Sequence, residues 1–254
     1  MKKKIGMILL CMMIVIPLTY IVIQHYQTRD GLCIVGYHNI VLDEVKEEQY
    51  ADNRYVLSVS QFKRHLQYLY DHQYQTLTMD EVYDYYYGNK EIPKKAIVLT
   101  FDDGFKSFDT LVKPLLEQYQ FHGTCFVIGK NLMRDGDLFL KDEDIHNDNT
   151  VSYYSHSYNL HRKASGFDQK IIETLSLEDI DQDFQNNPID YTYFAFPYGR
   201  SVKNIEPILQ KNNVKLAFSY NQFRHMTRQD NPYYLPRYMM IDWMPDFYFQ
   251  WIVE

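Results

Sequence analysis

Three groups of residues in this chain have the types and spacing that chemistry needs. The first is Asp102-Asp103-Gly104, which ends the apolar, β-branched run Ala96-Ile97-Val98-Leu99-Thr100-Phe101. Carboxylates are costly to bury without a partner, so two of them at the end of a buried strand need a reason. One can bind a metal ion while the other takes a proton from water; the other reading is a plain Asp-Asp-Gly turn. The second group is His156 and His161, within Ser155-His156-Ser157-Tyr158-Asn159-Leu160-His161. Imidazole is the commonest metal ligand, but residues five apart point about 140° apart on a helix and to opposite faces on a strand. Both reach one ion only if the segment turns between them, after a strand over Val151 to Tyr154. The third group is dispersed: His38, the turn Pro197-Tyr198-Gly199, and Arg237. A histidine at a strand end is either structural or an acid–base group. A rigid turn after a strand offers backbone N–H groups to an oxyanion, or is turn chemistry alone. Arg237 can orient a carboxylate through paired hydrogen bonds, or lie on the surface.

The elements around these groups must bring them together. Leu32-Cys33-Ile34-Val35-Gly36-Tyr37 reads as a second buried strand, so His38 and the Asp pair share a layer if the two strands are parallel. That layer is the carboxyl end of the sheet, where α/β folds place active sites. Asp43 to Val56 reads as a polar loop. A helix then begins at Ser58-Val59-Ser60-Gln61, with Ser60 as its cap, and Phe62, Leu66, Leu69 and Tyr70 follow at helical spacing. Thr78 and Glu81 form a capping box for a second helix, which Gly88 closes. A helix over Phe105 to Tyr119, a strand over Gly123 to Ile128, helical spacing from Phe167 to Phe184, and strands near Tyr193, Leu216 and Tyr234 continue the rhythm. This alternation predicts a parallel α/β sheet, open or closed.

The composition narrows the function. The chain has 254 residues and a formal net charge of −7. It has no basic stripe, which argues against nucleic acid as a partner. Its 24 tyrosines are mostly packing residues, and some suit stacking on sugar rings. Cys11, Cys33 and Cys125 form neither a disulfide framework nor a metal motif. Lys2-Lys3-Lys4 precede an uncharged run from Ile5 to Ile23, whose nineteen residues span about 30 Å as a helix. The expectation is a signal anchor over residues 1–23 with an external catalytic part, a polar stalk over 24–31, and one catalytic domain over 32–254. A cleaved signal peptide and secretion are the alternative.

The order Thr100-Phe101-Asp102-Asp103-Gly104, Ser155-His156-Ser157 with His161, and Phe196-Pro197-Tyr198-Gly199 resembles the polysaccharide deacetylases of the NodB homology family. Gly36-Tyr37-His38-Asn39-Ile40, Ser58-Val59-Ser60-Gln61-Phe62 and Tyr233-Tyr234-Leu235-Pro236-Arg237 add a likeness to the intercellular-adhesin branch, which deacetylates poly-β-1,6-N-acetyl-D-glucosamine in biofilm. The resemblance covers about Cys33 to Asp242. It implies a distorted (β/α) barrel with fewer than eight strands and a circularly shifted motif order, so that the strand bearing the general acid comes first. It implies a divalent metal on Asp103, His156 and His161, with zinc expected and nickel or cobalt as alternatives. It implies Asp102 as general base, His38 as general acid and the Tyr198 N–H as oxyanion donor; Pro197 and Arg237 are expected beside them as orienting residues. It also implies an N-acetylglucosamine polymer as substrate and polymer synthesis or export proteins as partners. Peptidoglycan or chitin-like oligomers are the rival substrates, and a non-catalytic glycan-binding protein is the rival class. Tyr153 and Tyr154 stand where a smaller residue is usual, which is expected to narrow the site.

Overall fold

The computed structural model describes residues 2–163, 170–200 and 202–254. In chain order its elements are α1 (Lys2–Thr28), β1 (Cys33–Tyr37), β2 (Asn39–Val41), α2 (Asp43–Gln49), β3 (Val56–Ser58), α3 (Val59–Asp71), β4 (Gln75–Thr76), α4 (Met79–Tyr86) and β5 (Ala96–Asp103). There follow α5 (Lys113–Tyr119), β6 (Gly123–Val127), β7 (Val151–Ser155), α6 (Leu177–Gln185), β8 (Tyr193–Ala195), α7 (Glu206–Lys211), β9 (Leu216–Tyr220), β10 (Leu235–Met239) and α8 (Asp246–Val253). The main sheet runs β1-β10-β9-β8-β7-β6-β5, all parallel, and β1 pairs back onto β5 from Cys33 with Ile97 to Tyr37 with Phe101. Seven strands thus close a barrel, and the short β4 lies beside the start of β5. The join between β7 and β8 is thin, one residue pair between Ser155 and Phe194, which distorts the ring.

Strand alternation sorts the residues. Ile34, Val98, Phe126, Tyr154, Ala195, Leu216, Phe218 and Leu235 share one buried cluster that fills the barrel. Val35, Tyr37, Leu99, Phe101, Cys125 and Tyr153 belong to a second cluster, beneath the helices. Further along the filled series come Thr100, Asp102, His156, Tyr220 and Arg237, so the barrel is apolar below and polar at its carboxyl rim. Tyr153 and Tyr154 are spent on these two clusters, and neither lines the rim pocket, so the narrowing expected of them does not occur.

Several local expectations change. The stretch after Asp43 is helical for two turns rather than a loop. The cap of α3 is Ser58, whose hydroxyl accepts from the Gln61 N–H, and not Ser60: Ser58 keeps the extended backbone that a cap has, and Ser60 is already inside the helix. Thr78 and Glu81 do form the capping box, and Gly88 follows α4 at φ 77°. The helix before Lys113 is π-helical over Phe108–Val112, with the Lys113 N–H bonding the Phe108 carbonyl, and it runs directly into α5, whose second residue is Pro114. Residues 167–169 of the expected Phe167 to Phe184 helix lie outside the described residues, and α6 itself begins at Leu177, capped by Ser176.

The N-terminal helix α1 continues to Thr28, so Gln24 to Thr28 extend it where a stalk is expected. His25 is buried, its ring 4.1 Å from that of Trp251 and 5.2 Å from that of His225. Among the described residues no helix is long and apolar enough to cross a membrane. The expected span falls largely on residues 1–12 and 14, whose side chains lie outside the described residues.

Candidate active site

β5 delivers the two carboxylates in different ways. Asp102 follows the alternation inward. Asp103 would face out, but it takes φ 77° and Gly104 takes φ 75°, a left-handed pair that swings the second carboxylate over the rim. Asp102 is 1% exposed and Arg237 is fully buried. Arg237 Nη1 donates to Asp102 Oδ1 at 2.7 Å and Nη2 to Oδ2 at 2.9 Å, and Nη1 also reaches Thr100 Oγ at 3.0 Å. Burial alone would raise the Asp102 pKa; the Arg237 guanidinium, with smaller help from His156 and His38, overcomes it and holds the carboxyl well below the usual range. Asp102 is therefore a fixed carboxylate.

The histidines come from the end of β7. His156 follows its last residue, and its Nδ1–H donates to the Ala195 carbonyl at 2.8 Å, which leaves Nε2 as the lone-pair nitrogen. Ser157 then takes φ 72°, its hydroxyl accepts from the Leu160 N–H, and the chain turns back so that His161 faces His156. The buried Asp183 on α6 holds this turn, accepting from the N–H groups of Tyr158 and Asn159 at 2.8 Å each. Asp103 Oδ1 lies 3.7 Å from His156 Nε2 and 3.6 Å from His161 Nε2. One ligand atom from each of Asp103, His156 and His161 falls within 4.8 Å of the others. Asp103 Oδ1 is buried with no hydrogen-bond partner, and burial pushes the carboxyl up to about 6. An orphaned acceptor converging with two imidazole nitrogens fits a divalent cation.

The remaining groups surround a cavity of about 520 Å³ whose lining includes His38, Tyr55, Asp102, Asp103, His156, His161, Tyr198 and Tyr220. His38 follows β1 directly, in the layer expected, and its Nδ1 is buried without a partner. Pro197 starts the turn after β8 and is buried. Tyr198 takes φ 60°, rare for a bulky residue, and its ring stacks 4.1 Å from that of His161. Tyr220, at the end of β9, donates its hydroxyl to Asp102 Oδ2 at 2.8 Å.

Residues 89–217 match the family model described as polysaccharide deacetylase. The chain belongs to the polysaccharide deacetylase family. It is accordingly a carbohydrate deacetylase, and the matched stretch holds Asp102, Asp103, His156, His161 and Tyr198. His38 and Arg237 lie outside that stretch, yet barrel closure brings both to the same rim, as a shifted motif order requires. A relative from Staphylococcus aureus (strain MSSA476), named poly-beta-1,6-N-acetyl-D-glucosamine N-deacetylase, is 25% identical over 201 residues, covering 74% of this chain and 69% of the relative. Two solved structures share the fold: IcaB from Ammonifex degensii, with TM-score 0.73, 23% identity and coverage of 89% of this chain and 98% of that one, and the Streptococcus pyogenes deacetylase PplD in complex with acetate, with TM-score 0.69, 22% identity, and coverage of 88% and 98%.

Sequence reasoning singled out the two Asp, the two His, His38, the Pro197 turn and Arg237, and the structure gathers all of them at one rim. It missed Tyr220 and Asp183. Tyr220 is one tyrosine in a strand, where packing is the ordinary reading, and Asp183 is one acid on a helix rich in them.

Proposed function

We propose that this deacetylase removes N-acetyl groups from a β-1,6-linked N-acetylglucosamine polymer outside the cell. The observation that supports the chemistry is the rim itself, where a clamped carboxylate stands beside a three-ligand cation site and opposite a histidine. The likeness of this chain to the Staphylococcus aureus enzyme over most of both lengths supports the polymer. Peptidoglycan or chitin-like oligomers are the second reading, since the same rim chemistry serves an N-acetyl group whatever the linkage between the sugars.

In this reading Asp103, His156 and His161 hold the divalent ion, taken to be zinc, with nickel or cobalt also suited to such a donor set. When bound, the ion supplies Lewis acidity that polarises an amide carbonyl and acidifies water. The protein groups do the rest. Asp102, kept ionised by Arg237, accepts the proton of the attacking water. The N–H of Tyr198 faces the charge that builds on the acetyl oxygen. His38 donates a proton to the departing amine, which is otherwise a poor leaving group. The N-terminal run anchors the enzyme with this domain outside, where proteins of polymer synthesis and export would meet it.

The test is amine release from β-1,6- and β-1,4-linked N-acetylglucosamine oligomers by the detergent-solubilised full chain, after chelation and after adding back zinc, nickel or cobalt. Metal-dependent release from the β-1,6 oligomer, lost in Asp102→Asn, is the expected result. Release from the β-1,4 oligomer alone would move the substrate to peptidoglycan or chitin, and binding without release under any metal would leave a glycan-binding protein.

A further inference from the structure

We propose that Tyr220 is a positioning residue for Asp102, and that Gly36 and Gly199 keep open the slot in which it sits. The inference rests on the reading of Asp102 as the base.

Tyr220 reaches the base from a different strand than Arg237 does. Its Oη donates to Asp102 Oδ2, the oxygen that also accepts from Arg237 Nη2, while Oδ1 is taken by Arg237 Nη1. A guanidinium fork fixes two oxygens in one plane, but the long arginine chain carries that plane with it. A third donor, from the end of β9, fixes the plane to the barrel. The phenol ring also lies 4.3 Å from the Arg237 guanidinium and stands nearly parallel to His38, with centroids 6.3 Å apart and planes at 19°. Tyr220 therefore stands between the proposed base and the proposed acid. The buried phenol stays protonated, its pKa pushed far above the ordinary value by burial, so it is a donor throughout.

Two glycines make room for it. A Cβ on Gly36 would fall against the Tyr220 hydroxyl and within 2.8 and 2.9 Å of two ring carbons. Gly36 does not have a positive φ, so its backbone does not require glycine; the space does. A Cβ on Gly199 would meet Tyr220 Cδ2 at 2.5 Å and Cβ at 2.9 Å. The Gly-Tyr-His and Pro-Tyr-Gly segments thus each give up a side chain on the face that Tyr220 occupies. A carboxylate that accepts three hydrogen bonds is a weaker base, but one held in register for the attacking water, and misplacement of a reacting group by about 1 Å costs on the order of 100-fold in rate.

The experiment compares wild type, Tyr220→Phe, Gly36→Ala and the double variant in the full chain. Two substrates are used: the N-acetylglucosamine oligomers, and a small fluorogenic acetate ester that needs no glycan contact. Tyr220→Phe keeps the ring and removes one hydroxyl. It is expected to lower kcat about 10- to 100-fold on both substrates, with KM, bound metal and melting temperature unchanged. Gly36→Ala displaces the same hydroxyl and should lower kcat to a similar degree. The double variant should be no worse than the poorer single, because both changes remove one contact. Wild-type kcat in Tyr220→Phe overturns the proposal, as does a fall in which KM, metal content and melting temperature move with kcat. Losses that multiply in the double variant overturn the role of Gly36. Wild type that hydrolyses the ester but neither oligomer retires the polymer reading alone, and Asp102→Asn with full ester activity retires the base on which the proposal rests.

Discussion

The rim of the barrel and the flank where α1 meets α8 are built from the same materials and do different work. On the flank, His25 packs on Trp251 and His225, His225 Nε2 bonds the Ile252 carbonyl at 2.6 Å, and nearby His65 stacks 4.1 Å above Phe249 and bonds the Tyr37 hydroxyl. These imidazoles serve as flat, half-polar packing pieces. At the rim, His156 is tied through one nitrogen to a carbonyl and aims the other at His161 and Asp103. Burial is common to both regions, and so are unpartnered atoms, since His65 Nε2 and His225 Nδ1 are as orphaned as Asp103 Oδ1. What separates them is convergence: on the rim several lone pairs share one point, and on the flank the hydrogen-bonded nitrogens of His25, His65 and His225 go to Tyr238, Tyr37 and Ile252 respectively. A buried histidine is informative through what its second nitrogen meets.

This contrast can be broken at either end. The largest effect is expected from His156→Ala, which should leave metal content after dialysis and amine release both at background. Asp102→Asn should cost about 10³-fold in kcat while metal content stays at the wild-type level, which separates the base from the cation site. Arg237→Met leaves a charged Asp102 buried without its partner, and chemical denaturation should show a loss of about 3–5 kcal/mol along with the loss of activity. On the flank, Phe249→Ala removes a fully buried ring and should cost about 3 kcal/mol, yet the kcat of the folded fraction should match wild type.

The smallest effect is a pH slope. Burial holds His65 down at about 4 from an ordinary 6.5, against the pull of Asp246 and with a small push from Arg64. The unfolded chain takes up this proton near 6.5 while the folded one resists until about 4. His65 therefore contributes stability that is complete above 6.5 and is lost as the pH falls toward 4. Melting temperature should decline through that window, and His65→Gln should flatten the decline without touching kcat at neutral pH. A slope unchanged by the substitution would assign the proton uptake to other buried histidines.

The sequence made the rim legible because strands announce themselves and so do the polar residues that end them. His38, Asp102 and His156 each close an apolar run, and parallel strands put such ends in one layer. The need for a turn between His156 and His161 followed from helix and strand geometry, and Ser157 supplies it. Supports that act across the chain were not legible. Asp183 lies 22 or more positions from the histidines it steadies, and Tyr220 lies 118 positions from Asp102. Neither residue type is unusual in its own element, so their meaning appears only when the barrel closes. The docked turn at His25 was hidden for the same reason, because Gln24 to Thr28 looks polar and its partners, His225 and Trp251, are far along the chain.

Closure of the barrel at β1 has a consequence for how the enzyme comes into being. β1 is the first strand synthesised, and it sits between β5 and β10, the last strand. The clamp on Asp102 comes from β10, so the two carboxylates of β5 and the histidines after β7 precede in the chain the guanidinium that pairs with Asp102. Arg237 is seated by the pairing of β10 with β1 and β9, and the β1–β10 seam is long-range and slow to form for entropic reasons. The seam that completes the ring is thus also the one that delivers the partner of Asp102.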